Sequence, residues 1–366
     1  LYLYLIGPDN FFQTGWNKAD QLTRTLLDIF VQMKFITMFS FLFGFGMMIM
    51  MERATARGQK FIPLYVRRLF WLFVFGTIHA FFIWDGDILM DYALLGLILI
   101  LFRNSKPKTL FIWAISLYML FLIPIILVQS TAFIENEDMM AWEDDLKQES
   151  EKEAKQALEI YGGGTFSDIV NQRIHDRLFY MSMNGSLSFN PILYFFTNIP
   201  YFSMFLLGMY TAKRKLLHDI TKHRRLFKTI CYIALFIGLP FNILYGLFHH
   251  EVYLLIGAPL LMLGYMTLII ILLDKPIGRR ILNPLKAVGR TAFTNYIMQS
   301  LIATTIFYNY GLGLYGKVYP FMGLWISLAI FIIQLVISHW WLKRFSFGPL
   351  EWLWRILTYK KMFSIR

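Results

Sequence analysis

Nine long apolar runs, each bounded by charged or turn-forming residues, organise the chain: about 35–51, 69–84, 88–102, 109–130, 192–212, 229–247, 252–273, 291–308 and 321–342. Stretches such as Leu94 to Phe102 and Leu268 to Leu273 are apolar on every side, unlike a β-barrel strand, whose polarity alternates. The pattern predicts an all-α polytopic integral membrane protein with nine transmembrane helices. Leu1 to Ile6 reads as the tail of a further apolar helix ended by Gly7-Pro8, and a preceding helix would make the total ten.

Composition supports the same class. Of the 366 residues 57% are apolar, 18% aromatic and only 16% charged, more than a soluble domain can hide from water. The single cysteine, Cys231, excludes a disulfide scaffold and thiolate-held metal clusters.

Alternating the nine helices divides the loops into two sets of opposite charge. Segments 52–68, 103–108, 213–228, 274–290 and 343–366 hold 26 of the 35 basic residues and four acids, while the remaining segments hold nine bases and nineteen acids. Such a partition predicts that the basic side faces the cytoplasm. It also accounts for the net charge of +12 without nucleic acid. Three regions follow: an N-terminal helical half (1–130), an acidic extracytoplasmic insertion (131–191) with twelve acids against five bases, and a C-terminal helical half (192–366). The insertion reads as a charged helix from about 137 to 160 ended by Gly162-Gly163-Gly164, serving either as a solvated outer cap or as a substrate lid.

Candidate chemistry lies where polar groups enter apolar runs. The hairpin between the second and third runs carries His79, Trp84, Asp85, Asp87 and Asp91. A histidine beside carboxylates suits proton transfer, with His79 as general base and an aspartate orienting it. The same residues also suit a purely structural bond that fixes the hairpin, with Asp87 as a helix N-cap. On the eighth run, Thr291, Asn295 and Gln299 recur at four-residue steps, with Tyr296 and Ser300 beside them. Such a stripe serves either as interhelical glue or as the wall of a substrate cavity. Arg67, Arg68, Arg279, Arg280 and Arg290 mark cytoplasmic helix ends, suited to lipid headgroups or to the phosphates of a donor. His249-His250-Glu251 lacks a spaced third ligand, so no metal site is expected there, and no tightly bound cofactor is expected. No Walker A or GxGxxG phosphate loop is present.

Four segments, KFITMFSFLFGFG (34–46), RRLFWLFVFGTIHAFFIWDGDILMDYALLGL (67–97), LKAVGRTAFTNYIMQSLI (285–302) and FSFGPLEWLWRILTY (345–359), resemble the bacterial YeiB family, whose C-terminal part is the domain of unknown function DUF418. That family is in turn distantly similar to membrane acyltransferases of the heparan-α-glucosaminide N-acetyltransferase and acyltransferase-3 type. The resemblance implies transfer of an acyl group from a cytoplasmic acyl-coenzyme A co-substrate to an extracytoplasmic or lipid-linked acceptor, with a histidine central to the reaction. In the sugar acetyltransferase that histidine shortly precedes a Trp-Asn pair; here Trp16-Asn17 matches, and Gln13, Thr14 and Gly15 stand nearby without a histidine. Two functions are therefore carried forward. One is an acyltransferase with His79, Asp85, Asp87 and Asp91 as its catalytic set, Thr291, Asn295, Tyr296, Gln299 and Trp84 binding substrate, and the five arginines binding the donor phosphates. The other is a secondary transporter using a His/Asp proton relay. Both take a small-molecule or lipid-linked substrate in the bilayer, and the sequence leaves the oligomeric state open.

Overall fold

The computed structural model describes residues 15–131, 137–183 and 190–365; Leu1 to Ile6 and the Gln13 and Thr14 positions lie outside them. The described chain is helical: α1 (Lys18–Phe30), α2 (Lys34–Ala56), α3 (Phe61–Phe82), α4 (Leu89–Leu99, extended by a 3₁₀ turn Ile100–Phe102), α5 (Pro107–Thr131), α6 (Glu137–Gly163), α7 (Phe166–Met183), α8 (Pro191–Lys213), α9 (Arg224–Ile233), α10 (Leu239–Phe248), α11 (Glu251–Leu273), α12 (Pro276–Leu282), α13 (Leu285–Arg290), α14 (Ala292–Phe307), α15 (Pro320–Leu342) and α16 (Pro349–Tyr359). All nine apolar runs fall on helices. Among the described residues seven helical spans are long and apolar enough to cross a membrane; the run at 88–102 forms a shorter apolar helix, and α14 has only 16 residues. α9 and α10 form one span of 25 residues through a π-helical turn at Ala234–Gly238. Pro240 lies just beyond that turn, and its missing N–H accounts for the local change of register.

The centre is built by α2 and α8. Gly44 and Gly208 let their backbones touch: a Cβ on either would lie 1.9 Å from a carbonyl oxygen of the other helix, Phe205 or Phe41. This is small-residue packing of the kind that joins helices in lipid, where hydrophobic burial supplies little drive. Around that pair, Leu69, Leu72, Leu95, Leu99, Phe202, Phe205 and Met209 fill the core. Outward, α5 exposes Ile112, Trp113, Leu120, Ile123, Leu127 and Val128, and α15 exposes Trp325, Ile332, Ile333, Val336 and Trp340. Apolar belts of this kind require bilayer lipid, so the molecule is a multi-pass membrane protein.

Loops assigned to one side by charge meet each other in the fold. On the basic side Lys213 donates to the carbonyls of Arg103 and Ser105, Arg224 lies 3.9 Å from Asp274, Arg290 donates to Ser346 O and Arg67 to Thr358 O. On the acidic side Asp20 accepts from the Phe321 N–H, His249 lies 3.4 Å from Asp28, Asn309 donates to Gly164 O, and Arg177 donates to Asp85 O. All five basic segments are thereby linked to one another, and on the acidic side the Asp20 bond reaches Phe321, the first residue of the run that follows 309–320.

The acidic insertion differs from a freely solvated cap. α6 follows the predicted charged helix and ends one residue before Gly164, whereas α7 was not anticipated and packs directly on α3. Arg173 and Arg177 on α7 are the largest fully buried side chains described.

A histidine–aspartate dyad under an arginine cap

Gly76 decides how the hairpin closes. A Cβ there would sit 2.5 Å from the Met90 N and 2.9 Å from Asp87 Oδ2, so only glycine lets the 87–90 turn settle onto α3. Asp87 accepts from the Met90 N–H through Oδ2 (2.9 Å), capping the start of α4. Its other oxygen faces α3, where His79 stands one turn before the helix end. His79 Nδ1 and Asp87 Oδ1 are 2.8 Å apart, and neither side chain has any solvent exposure.

With the carboxylate accepting, Nδ1 is the donor of this bond and Nε2 is the ring nitrogen left over for another partner. Nε2 is buried and has no hydrogen-bond partner among the described residues. Tyr296 from α14 donates to Asp87 Oδ1 at 3.3 Å, and its ring lies 4.9 Å from the imidazole. Trp84 meets the histidine edge-on at 6.1 Å and packs outward against the Tyr161, Tyr308 and Tyr315 cluster.

The other aspartates do not bond His79. Asp91, one turn along α4, accepts from Tyr194 OH (3.2 Å) and lies 3.6 Å from Arg177 Nη2. Asp85 sits in the loop, with Arg173, Arg177 and Asp176 within electrostatic reach; burial and the facing Asp176 raise its carboxyl to about 7. Arg177 closes the hairpin from above, donating to Asp85 O (3.1 Å) and Asp87 O (3.3 Å), while Arg173 donates to Phe82 O. Arg177 Nε and Arg173 Nε and Nη2 stay buried without partners. Sequence reading passed over these arginines, although they are the only two in the insertion and share a helix face at i,i+4 with Gln172 and Asp176 alongside.

The polar stripe of α14 turns out to serve two faces. Thr291 Oγ1 donates to Ser338 Oγ (3.0 Å), Asn295 Nδ2 donates to Thr291 Oγ1 and Ser338 Oγ (both 3.0 Å), and Gln334 Nε2 donates to Asn295 O (2.9 Å). These bonds all run within α14 or to α15. Gln299 is exposed. Thr291, Asn295 and Gln299 thus do not face His79 as the shared periodicity suggested; Tyr296, about 100° further round the helix than Asn295, does.

At the basic end the five arginines separate. Arg67 and Arg68 engage α16, with Arg68 stacked 3.7 Å over Trp354, whose indole donates to Arg68 O. Arg290 joins the strap leading into α16 through Ser346 O. Arg279 folds back onto Leu273 O, and Arg280 is exposed on α12. Glu351 of α16 caps α14 by accepting from the Phe293 and Thr294 N–H groups (2.7 and 3.1 Å) and from Thr294 Oγ1 (2.6 Å). His249 pairs with Asp28 and His250 packs on Tyr253, at 5.2 Å between ring centres.

Fold and site together define a polytopic helical membrane protein with a buried His–Asp dyad in a hairpin covered by α7. The chain is 54% identical over 359 residues to the uncharacterized protein YxaH of Bacillus subtilis, covering 98% of this chain and 87% of that one. It is 30% identical to an uncharacterized 39.9 kDa protein of Bacillus acidopullulyticus (95% and 86% covered) and 28% identical to the uncharacterized protein YeiB of Escherichia coli (93% and 85% covered). Residues 211–361 match the protein family of unknown function DUF418. The protein belongs to this bacterial YxaH/YeiB family of DUF418 membrane proteins. No solved structure matches it.

Proposed function

We propose that the protein is a membrane acyltransferase in which His79, oriented by Asp87, is the general base toward an extracytoplasmic or lipid-linked acceptor. The observation that carries this reading is the 2.8 Å Nδ1–carboxylate bond combined with an unengaged, buried Nε2. In the proposed step an acceptor O–H or N–H gives its proton to Nε2 while its lone pair attacks the thioester carbonyl of an acyl-coenzyme A. The C–S bond then breaks, and the imidazolium returns the proton to the departing thiolate. Catalysis by a base so placed contributes about 10²–10⁴-fold.

The topology proposed with this function has nine spans, counting α4 with its 3₁₀ turn and α14, the basic end in the cytoplasm of a bacterial plasma membrane and residues 131–191 outside. The donor phosphates are assigned to Arg67, Arg68 and Arg290 around α16; Arg279 and Arg280, on α12, are not part of that group. About 16 Å of helix rise separates Arg68 from His79 along α3. On the acceptor side α7 is the lid, because Arg173 and Arg177 cover the hairpin that holds the dyad.

A proton-relay transporter is the second reading. It is favoured by the complete sealing of the dyad and by the polar chain that continues through Asp91, Tyr194 and Arg177. Inside-out vesicles containing the wild-type chain, supplied with labelled acetyl-coenzyme A, are expected to release thiol and fix label in the vesicle interior or lipid. His79→Gln and Asp87→Asn should cut both at least hundredfold while the protein remains folded in the membrane. Unchanged thiol release in either variant overturns the assignment; no release by wild type, with proton flux that His79→Gln abolishes, establishes the relay instead.

A further inference from the structure

Away from the dyad, on the outer face of the cap, Glu153 of α6 meets His175 and Asp176 of α7. One ligand atom from each lies within 4.8 Å of the other two. His175 Nδ1 is 3.5 Å from Glu153 Oε2 and 3.6 Å from Asp176 Oδ1. Ligand atoms around a tetrahedral ion bonded at about 2.1 Å stand roughly 3.4 Å apart, so both spacings match a shared cation.

The surroundings are those of a metal-binding carboxylate. Asp176 is held from behind by two neutral donors, Tyr161 OH to Oδ2 (2.5 Å) and Gln172 Nε2 to Oδ1 (2.7 Å), and Gln156 steadies Gln172 in turn (2.9 Å). Outer-shell bonds of this kind orient ligands for a metal. Glu153 Oε2 is buried with no hydrogen-bond partner, leaving two carboxylates to face each other across a single half-exposed imidazole. Beside His175 opens a groove of about 540 Å³, lined by Gln156, Glu159, Asp168 and His175, which gives solvent access to this side of the cluster.

We propose that Glu153, His175 and Asp176 form a divalent-cation site that clasps α6 to α7. One imidazole nitrogen with two carboxylates suits a borderline transition-metal ion such as Zn²⁺ better than Mg²⁺ or Ca²⁺, which prefer all-oxygen shells. The ion ties down the helix that presses Arg173 and Arg177 onto the hairpin, and so stiffens the cap. The site stands whether or not the dyad transfers acyl groups, because none of its residues belongs to the dyad.

The test uses the full chain purified in detergent, stripped with a chelator and titrated with Zn²⁺ alone. Wild type should bind one ion per chain saturably and gain thermal stability on binding. Glu153→Gln, an isosteric change, and His175→Ala, at a half-exposed position, should each weaken binding at least tenfold and remove the Zn²⁺-dependent gain, with the metal-free melting temperature unchanged. Whichever variant keeps that melting temperature is the one whose affinity decides, and Asp176→Asn stands in should both lose it. Absence of one-to-one binding by wild type, or equal affinity in a folded variant, overturns the proposal.

Discussion

Two polar clusters sit within the apolar helices, and they differ in how completely they are satisfied. Between α14 and α15, Thr291, Asn295, Gln334 and Ser338 bond one another or nearby backbone carbonyls, forming a closed network. At the hairpin, residues from α3, α4, α7, α8 and α14 converge on Asp87 and Asp91, yet His79 Nε2 and several arginine N–H groups remain without partners. Buried polar groups are ordinarily paired, and leaving one unpaired is costly. The closed network has the complete pairing expected of helix glue, whereas the open one leaves buried polar atoms without partners.

The sharpest way to break this comparison is Arg177→Leu. It strips hydrogen bonds from two carbonyls and leaves Asp91 with only Tyr194, so unfolding in detergent should become easier by about 3 kcal/mol, as for other buried pairs that lose one member. A change below about 0.5 kcal/mol would show that α7 merely rests on the hairpin.

A pH profile sharpens the same region. The Asp85 carboxyl is raised from 3.8 to about 7 by burial and then by Asp176. Between about pH 4 and pH 7 the folded state thus holds a proton that the unfolded chain has released, so this group makes stability fall with rising pH, levelling off above pH 7. Asp85→Asn removes that slope and should gain up to about 4 kcal/mol over wild type at pH 8 relative to pH 4, about three pKa units at 1.36 kcal/mol each. Parallel profiles for the two proteins would mean that Asp85 is ionised throughout.

The closed network should respond modestly. Asn295→Ala is expected to cost about 1 kcal/mol, typical of interhelical hydrogen bonds in lipid, and to leave thiol release at the wild-type rate. A tenfold fall in rate at unchanged stability would move the stripe into the substrate path. Gln299→Leu should matter least, within about 0.5 kcal/mol, because Gln299 is exposed and faces neither cluster.

Much of this was legible in the sequence. Apolar runs of membrane length produce helices wherever they occur, because lipid leaves the backbone no other way to satisfy its own hydrogen bonds, and loop charge divides their ends into two sets. The approach of His79 to an aspartate followed from a short hairpin that returns the chain to the same level. Which aspartate it meets did not follow, since the four-residue spacing of Asp87 and Asp91 reads as one helix face, whereas Asp87 lies in the turn before α4, seated against Gly76.

Tertiary structure alone decided the rest. The four-residue spacing of Thr291, Asn295 and Gln299 shows that they share a face of α14, but not which neighbour that face meets; Ser338 and Gln334, more than forty positions away from Thr291 on α15, settle it. The burial of Arg173 and Arg177 reverses what an acidic, polar insertion implies in isolation. Local sequence reports propensity and periodicity, which act within one element, whereas the cost of burying a guanidinium is met only by carbonyls and carboxylates that the fold brings from some ninety residues away.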